Sequence, residues 1–299
     1  MMDKLYKIER KLLYKELQPL FEGLSLVRYA VIKGEVLSNQ IYGVPDQRMS
    51  NDIDILIDKK NVKLLEEQLL NLGFEQQHPE DRLVARRNRV LCLVYSHQIP
   101  SYHKEKFGLH FNVDVNYDVF WGEYEGQRCS IEEFLSDTED TEIYGVKVQM
   151  LSIEKALVQL VLHHYKEMNS IYHLNKHNCI RTDMFKDVYD MIFYNLDRLT
   201  VEKICWLSFR YQIVDIVYYM LYYTYYVFRD ERLKNYLSEL SCFANKDLME
   251  SYGLCSTERK RWFIPFEERL DNDNIWDCIC KDMSDTDLQK VMLGKTIFT

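Results

Sequence analysis

Near residue 150 the periodicity of this 299-residue chain changes. Before that point, strand-like runs alternating apolar and polar residues are mixed with helical segments; after it, apolar residues recur almost wholly at helical spacing. The order helix, strand, helix, strand, helix and then several strands is α+β, with a mixed β-sheet covered by flanking helices and followed by a mainly helical domain. The division this implies is residues 1–150 and 151–299.

In the first part, Lys4 to Phe21 reads as an amphipathic helix, "LVRYAVIKG" as a strand closing at Gly34, and "EVLSNQIY" as a short helix. A Gly/Pro/Asn/Ser loop, "GVPDQRMSN", feeds the strand "DIDILI", and "KKNVKLLEEQLLNLGF" reads as a helix stopped by Gly73. Two strands are expected around residues 82 to 95, one long strand over "FGLHFNVDVNYDVF" and a last one over "EIYGVKVQML". The second part carries helical periods in "IEKALVQLVLHHYKEMN", "RTDMFKDVYDMIFYNL", "TVEKICWLSFRYQ" and "VDIVYYMLYYTYYVFRDERLKNYLSEL".

With 47 acidic against 38 basic residues and a net charge of -9, the chain argues against a broad phosphate-tracking surface for nucleic acid and for a smaller partner, while a local basic pocket remains open. No window approaches the roughly 18 to 20 uninterrupted apolar residues of a spanning helix, and the first residues contain no apolar h-region. The eight cysteines are scattered without the spacing of a disulfide scaffold, and the Cys278-x-Cys280 pair has no second pair beside it for zinc. The expectation is a cytoplasmic protein with free thiols and no membrane segment.

"RMSNDIDILID", residues 48 to 58, places Asp52 and Asp54 at the head of an apolar run. Residues two apart in a strand project to the same side, so these carboxylates point together, roughly 7 Å apart at their bases, while Ile53, Ile55 and Ile57 face a core. Like charges so placed repel unless a cation lies between them, and Mg2+ takes hard oxygen ligands from one or two carboxylates plus substrate phosphates. Gly34, eighteen residues earlier, joins a strand to a helix whose N-terminal N–H groups can hold phosphate oxygens. Asp114 lies on the polar face of a later strand with His110, Asn112, Asn116 and Asp118, opposite Leu109, Phe111, Val113, Val115 and Tyr117, and can complete a carboxylate triad. These are the parts of a two-metal phosphoryl or nucleotidyl transfer site.

"IKGEVLSNQIYGVPDQRMSNDIDILID" resembles the core of the DNA polymerase β-like nucleotidyltransferases, most closely their uncharacterised bacterial branch with a K-G … R-x-x-x-D-x-D pattern. "VDVNYDVF" resembles that branch's strand with the third carboxylate, and "LHHYKE … IRTDMFKDVYDMI" its helical segments, so the likeness spans roughly residues 25 to 195. The resemblance implies a five-stranded nucleotidyltransferase sheet followed by a helical domain that closes the substrate cleft. It implies Gly34 in the phosphate-binding turn, Asp52 and Asp54 on both metals, and Asp114 on the catalytic metal. The implied reaction is Mg2+-dependent attack of a hydroxyl on the α-phosphate of a nucleoside triphosphate such as ATP, with pyrophosphate leaving. The acceptor would be a small molecule or a protein.

One departure stands out. Where the wider superfamily has Ser after the glycine, this chain has Glu35, whose charge opposes phosphate unless it turns away. Lys33 and Arg48 flank the site and can supply positive charge, Arg as a two-pronged donor and Lys as a point charge. A second functional reading follows from Glu35: a catalytically degenerate module that binds nucleotide or protein without turnover. Against it, three clustered carboxylates have no role in an idle site.

Plainer readings exist for the remaining features. His163 and His164 sit on an amphipathic helix with one of them facing its core, and a ligand or acceptor role is the sharper alternative. The tyrosine stripe "YYMLYYTYYVF" reads as packing between helices rather than a base-stacking platform.

Overall fold

The computed structural model describes residues 2–76 and 82–298. The chain divides into two compact units, Met1–Gly122 with Cys129–Ala156 and Glu123–Arg128 with Leu157–Thr299.

The first unit opens with α1 (Met2–Gly23), which buries Arg10, Leu13, Tyr14, Leu17, Leu20 and Phe21 at helical spacing. There follow β1 (Tyr29–Ile32), α2 (Gly34–Tyr42), β2 (Ile53–Ile57), α3 (Val62–Asn71), β3 (Glu75–Gln76), α4 (Arg82–Tyr95), β4 (Tyr102–Lys106), β5 (Leu109–Asn116), α5 (Ile131–Phe134), β6 (Glu139–Ile143) and β7 (Val146–Met150). The strands form one seven-stranded sheet in the order β3-β4-β5-β2-β1-β7-β6. It is mixed: β1 runs antiparallel to β2 and parallel to β7, while β2 runs parallel to β5. This is a mixed α+β sheet with flanking helices, wider by two strands than the five that the resemblance implied.

Every residue of β1 and β2 is buried, as central strands covered on both faces require. One face of the sheet supplies Tyr29, Val31, Ile53, Ile55, Ile57, Phe111, Val113 and Val115 to a core shared with α1 and with Val62, Leu65 and Leu69 of α3. The alternation expected for β5 is thus realised. Its polar residues fall on the opposite face.

Three strand expectations are corrected. Residues 82–95 form a helix, not two strands: Asn88 and Cys92 are buried one turn apart, whereas Leu83 and Val90 are exposed. The other two are turns inside stretches expected to be strand: residues 107–108 turn after β4, which has no counterpart among the expected strands, and residues 144–145 split one expected strand between β6 and β7. Phe107–Gly108 and Tyr144–Gly145 each have positive φ at both residues, the backbone of a two-residue type I′ turn, and they fold β4 on β5 and β6 on β7.

The second unit is mainly helical. It contains α6 (Ile153–Asn169, shared at its first turn with the first unit), α7 (Ile171–Leu174), α8 (Thr182–Phe193), α9 (Val201–Arg210), α10 (Val214–Phe228) and α11 (Leu233–Leu240), with shorter elements beyond. The last long helical run of the sequence is broken at Arg229, which takes a left-handed conformation and ends α10. Within α10, Tyr219 meets Tyr165 edge-on at 5.1 Å between ring centres and Tyr223 stacks on Phe266 at 3.9 Å, whereas Tyr222 is exposed. Among the described residues no helix is long and apolar enough to cross a membrane.

Candidate active site

At the end of β1 the chain makes a turn that few sequences tolerate. Lys33 has φ 60° and ψ -154°, a region used almost entirely by glycine, and Gly34 follows at φ 44°. A side chain at Gly34 would begin 3.3 Å from both Cβ and Oγ of Ser50. Glycine is therefore needed twice over, for the backbone and for the close approach of the loop that leads into β2. Gly34 opens α2, whose first-turn N–H groups have no partner within the helix.

Strand pairing then brings the acids together. Asp54 of β2 lies directly opposite Asp114 of β5 in the parallel ladder and opposite Ile32 of β1 in the antiparallel one. Lys33, the next residue after Ile32, sets its Nζ 2.7 Å from Asp54 Oδ1. Asn116, two positions beyond Asp114 and so on the same face, donates its amide to that same oxygen at 3.1 Å. Asp52 stands one residue before β2 and accepts a hydrogen bond from Ser50 Oγ at 3.0 Å. Asp114 accepts one from Ser101 Oγ.

Asp54 is only 3 % exposed. Burial pushes its carboxyl up to about 7; the Lys33 ammonium works against that rise, and the negative charges of Asp52 and Asp114 add to it. The three carboxylates are therefore close enough to feel one another, and the Lys33 ammonium compensates them in part. Their donor set is all hard oxygen, which fits Mg2+. A divalent ion would relieve the repulsion that adds to the effect of burial on Asp54.

Glu35 is turned away from this group. It is 1 % exposed and paired through both oxygens with Arg10 of α1, Nε to Oε1 and Nη2 to Oε2, the latter at 2.9 Å. Tyr6 and Tyr14 add hydroxyl donors at 3.1 and 3.4 Å. Arg10 Nη2 also donates to the main-chain carbonyl of Asp52 at 2.7 Å, and the Tyr6 hydroxyl accepts from the Ser50 N–H at 2.7 Å. The residue that departs from the superfamily pattern is thus part of a brace tying α1, α2 and the Asp52 loop together.

Arg48 enters through its backbone. The buried Ser38 Oγ accepts from the N–H groups of Gln47 and Arg48 and donates to the Val44 carbonyl, pinning the loop before Asp52. Asp118, which alternation placed on the same face as Asp114, falls beyond β5 and accepts from the Phe120 N–H in a local turn. Sequence reasoning missed Arg10, Tyr6, Ser50 and Ser101. It put Asn116 on the correct face without a role. The signal for Arg10 was available as a charged residue on the apolar stripe of α1.

A mixed sheet whose central strands gather carboxylates beside a glycine turn and a helix N-terminus defines a nucleotidyltransferase-like α+β protein. The chain belongs to the family described as uncharacterised nucleotidyltransferase, which residues 4–229 match. Among solved structures, it is similar to an antigenic nucleotidyltransferase-like protein from Paracoccidioides brasiliensis, with 17% sequence identity, 69% of this chain and 91% of that chain covered, and a TM-score of 0.35. No curated protein matches this chain.

Proposed function

We propose that the protein is a Mg2+-dependent nucleotidyltransferase moving a nucleoside monophosphate from a nucleoside triphosphate to a hydroxyl of a small molecule or protein, in the manner of the bacterial branch that its K-G … R-x-x-x-D-x-D pattern resembles. The observation that carries this reading is the cross-strand pair Asp54 and Asp114 with Asp52 beside it, on a sheet of the nucleotidyltransferase type. Asp52, Asp54 and Asp114 would hold the metal, which supplies charge neutralisation of the phosphates and orientation of the attacking oxygen.

The chain's own groups do the rest. The first-turn N–H groups of α2 and the positive end of that helix favour phosphate at the Lys33–Gly34 turn. Lys33 holds a positive charge at Asp54 and can share it with a phosphate oxygen. Arg48, half-buried on the loop that Ser38 pins, stands before the Asp52 segment as a second cationic donor. Asp114, as a carboxylate, accepts the proton of the acceptor hydroxyl as that hydroxyl attacks the α-phosphate. Glu35, held by Arg10, does not oppose the phosphates. The degenerate-module reading started from Glu35, and the Arg10–Glu35 ion pair supports the transferase over it.

The test is a thermal-shift series with ATP, GTP, CTP and UTP, each with and without Mg2+, on the wild type and on Asp52→Asn/Asp54→Asn. Ligands that bind the folded state raise the melting temperature by mass action. A rise that needs both nucleotide and Mg2+ and disappears in the double variant is expected. Nucleotide-induced shifts that ignore Mg2+ and survive the double substitution would sink the proposal.

A further inference from the structure

The helical unit holds a cluster of metal-ligating side chains of its own. His163, His164 and Glu167 of α6 each offer a ligand atom, and the three atoms lie within 4.8 Å of one another. His163 and Glu167 are one helical turn apart, with Nε2 3.4 Å from Oε1. Donor atoms around a tetrahedral ion at about 2.0–2.1 Å stand roughly 3.3 Å from each other, so this edge already has the spacing of a coordinated pair.

His164 is the independent sign that the cluster has a use. It is 1 % exposed, and neither of its ring nitrogens makes a hydrogen bond among the described residues. A buried imidazole in that condition is costly to keep. Its Nε2 lies 3.4 Å from Oδ2 of the buried Asp187 on α8, out of hydrogen-bond alignment. Metal-bound histidines characteristically present one nitrogen to the ion and the other to a carboxylate, which fixes the ring and raises its basicity. His164 has both the His163/Glu167 pair and the Asp187 carboxylate as neighbours, the groups such an arrangement needs.

The geometry points to a transition-metal site of the Zn2+ class, formed by His163, His164 and Glu167 and oriented by Asp187. Two imidazoles and one carboxylate suit Zn2+ and its neighbours far better than Mg2+, which takes oxygen donors and keeps its waters. Three protein ligands leave one position for water or an anionic ligand. The inference is independent of the nucleotidyl transfer reading, since none of the four residues belongs to that site.

The experiment uses the untagged full chain, with Zn2+ alone and Co2+ alone as probes and millimolar Mg2+ present, read by equilibrium dialysis with elemental analysis and by the visible spectrum of bound Co2+. The expected result is one ion per chain, retained in Asp52→Asn/Asp54→Asn. Binding should weaken by at least about 10-fold in His163→Ala and in Glu167→Gln, and by about 10- to 100-fold in Asp187→Asn. His163 and Glu167 are partly exposed, and circular dichroism confirms that their variants are folded. Substoichiometric binding by the wild type, affinity unchanged by His163→Ala and Glu167→Gln, or a Co2+ spectrum dominated by thiolate charge transfer would each overturn the site.

Discussion

Arg10 and Glu35 form a buried two-pronged ion pair, and the same guanidinium holds the Asp52 carbonyl. Removing one member leaves the other charged and unpaired in the interior, which costs about 3–5 kcal/mol. Glu35→Ser, which restores the superfamily residue, is therefore expected to destabilise the chain by that order and to leave nucleotide affinity no better. The double variant Arg10→Met/Glu35→Leu should lose less stability than either single change. Urea unfolding of the wild type, Glu35→Ser, Arg10→Met, Glu35→Leu and the double variant checks this; a Glu35→Ser protein as stable as the wild type would show that the pair is not a brace.

Asp54 gives the protein a pH dependence of unusual sign for a carboxylate. Its native proton affinity is raised, to about 7 from an ordinary 3.8, so between these values the folded state binds the proton more tightly than the unfolded state does. Stability from this group is then fully present below pH 4, falls as pH rises toward 7, and levels off above it. The loss is on the order of a few kcal/mol by the free energy of one pKa unit. In the presence of chelator, the wild type should lose more melting temperature between pH 4.5 and 7.5 than Asp54→Asn does. Parallel pH profiles for the two proteins would contradict this. Added Mg2+ should stabilise the wild type more at pH 7.5 than at pH 5.

How far the sequence could be read follows from the scale at which each feature is encoded. β2 and the polar face of β5 were legible because a strand's alternation is local, and D-x-D beside a strand-closing glycine is a pattern within a few tens of residues. The β4–β5 and β6–β7 hairpins were missed although Phe107–Gly108 and Tyr144–Gly145 carried a turn glycine: the charged run His103–Lys106 hid β4, and apolar alternation continued through residues 143–148. α4 was misread because paired aliphatics such as Leu83–Val84 mimic a strand. The fate of Glu35 depended on Arg10, which is adjacent only after α1 packs on the sheet. Long-range pairing of that kind leaves no local trace.

Asn116 separates charge repulsion from packing at the carboxylate group. It is buried and gives its amide to Asp54. Asn116→Asp is nearly isosteric and replaces a donor with a fourth carboxylate, so it should raise the Asp54 carboxyl further and destabilise the protein at neutral pH. The deficit should shrink at pH 5 and on adding Mg2+, measured as melting temperatures across a pH and Mg2+ grid. Equal destabilisation at every pH would mean that the amide matters for shape alone.

Lys33 combines a strained backbone with the cation beside Asp54, and the two roles can be separated by substitution. Its φ and ψ belong to a region in which a non-glycine residue costs about 1–3 kcal/mol. Lys33→Gly relieves that strain and removes the ammonium; Lys33→Met removes the ammonium and keeps the strain. Lys33→Gly should therefore be more stable than Lys33→Met by about 1–3 kcal/mol in denaturant titration. Both should lose the stabilisation by nucleotide and Mg2+, because the charge at the Asp54 end of the phosphate turn is gone in each. If Lys33→Gly keeps that ligand-induced shift while Lys33→Met loses it, the lysine serves the turn's shape and not the phosphate. If both keep it, the nucleotide sits elsewhere and the proposed site is wrong.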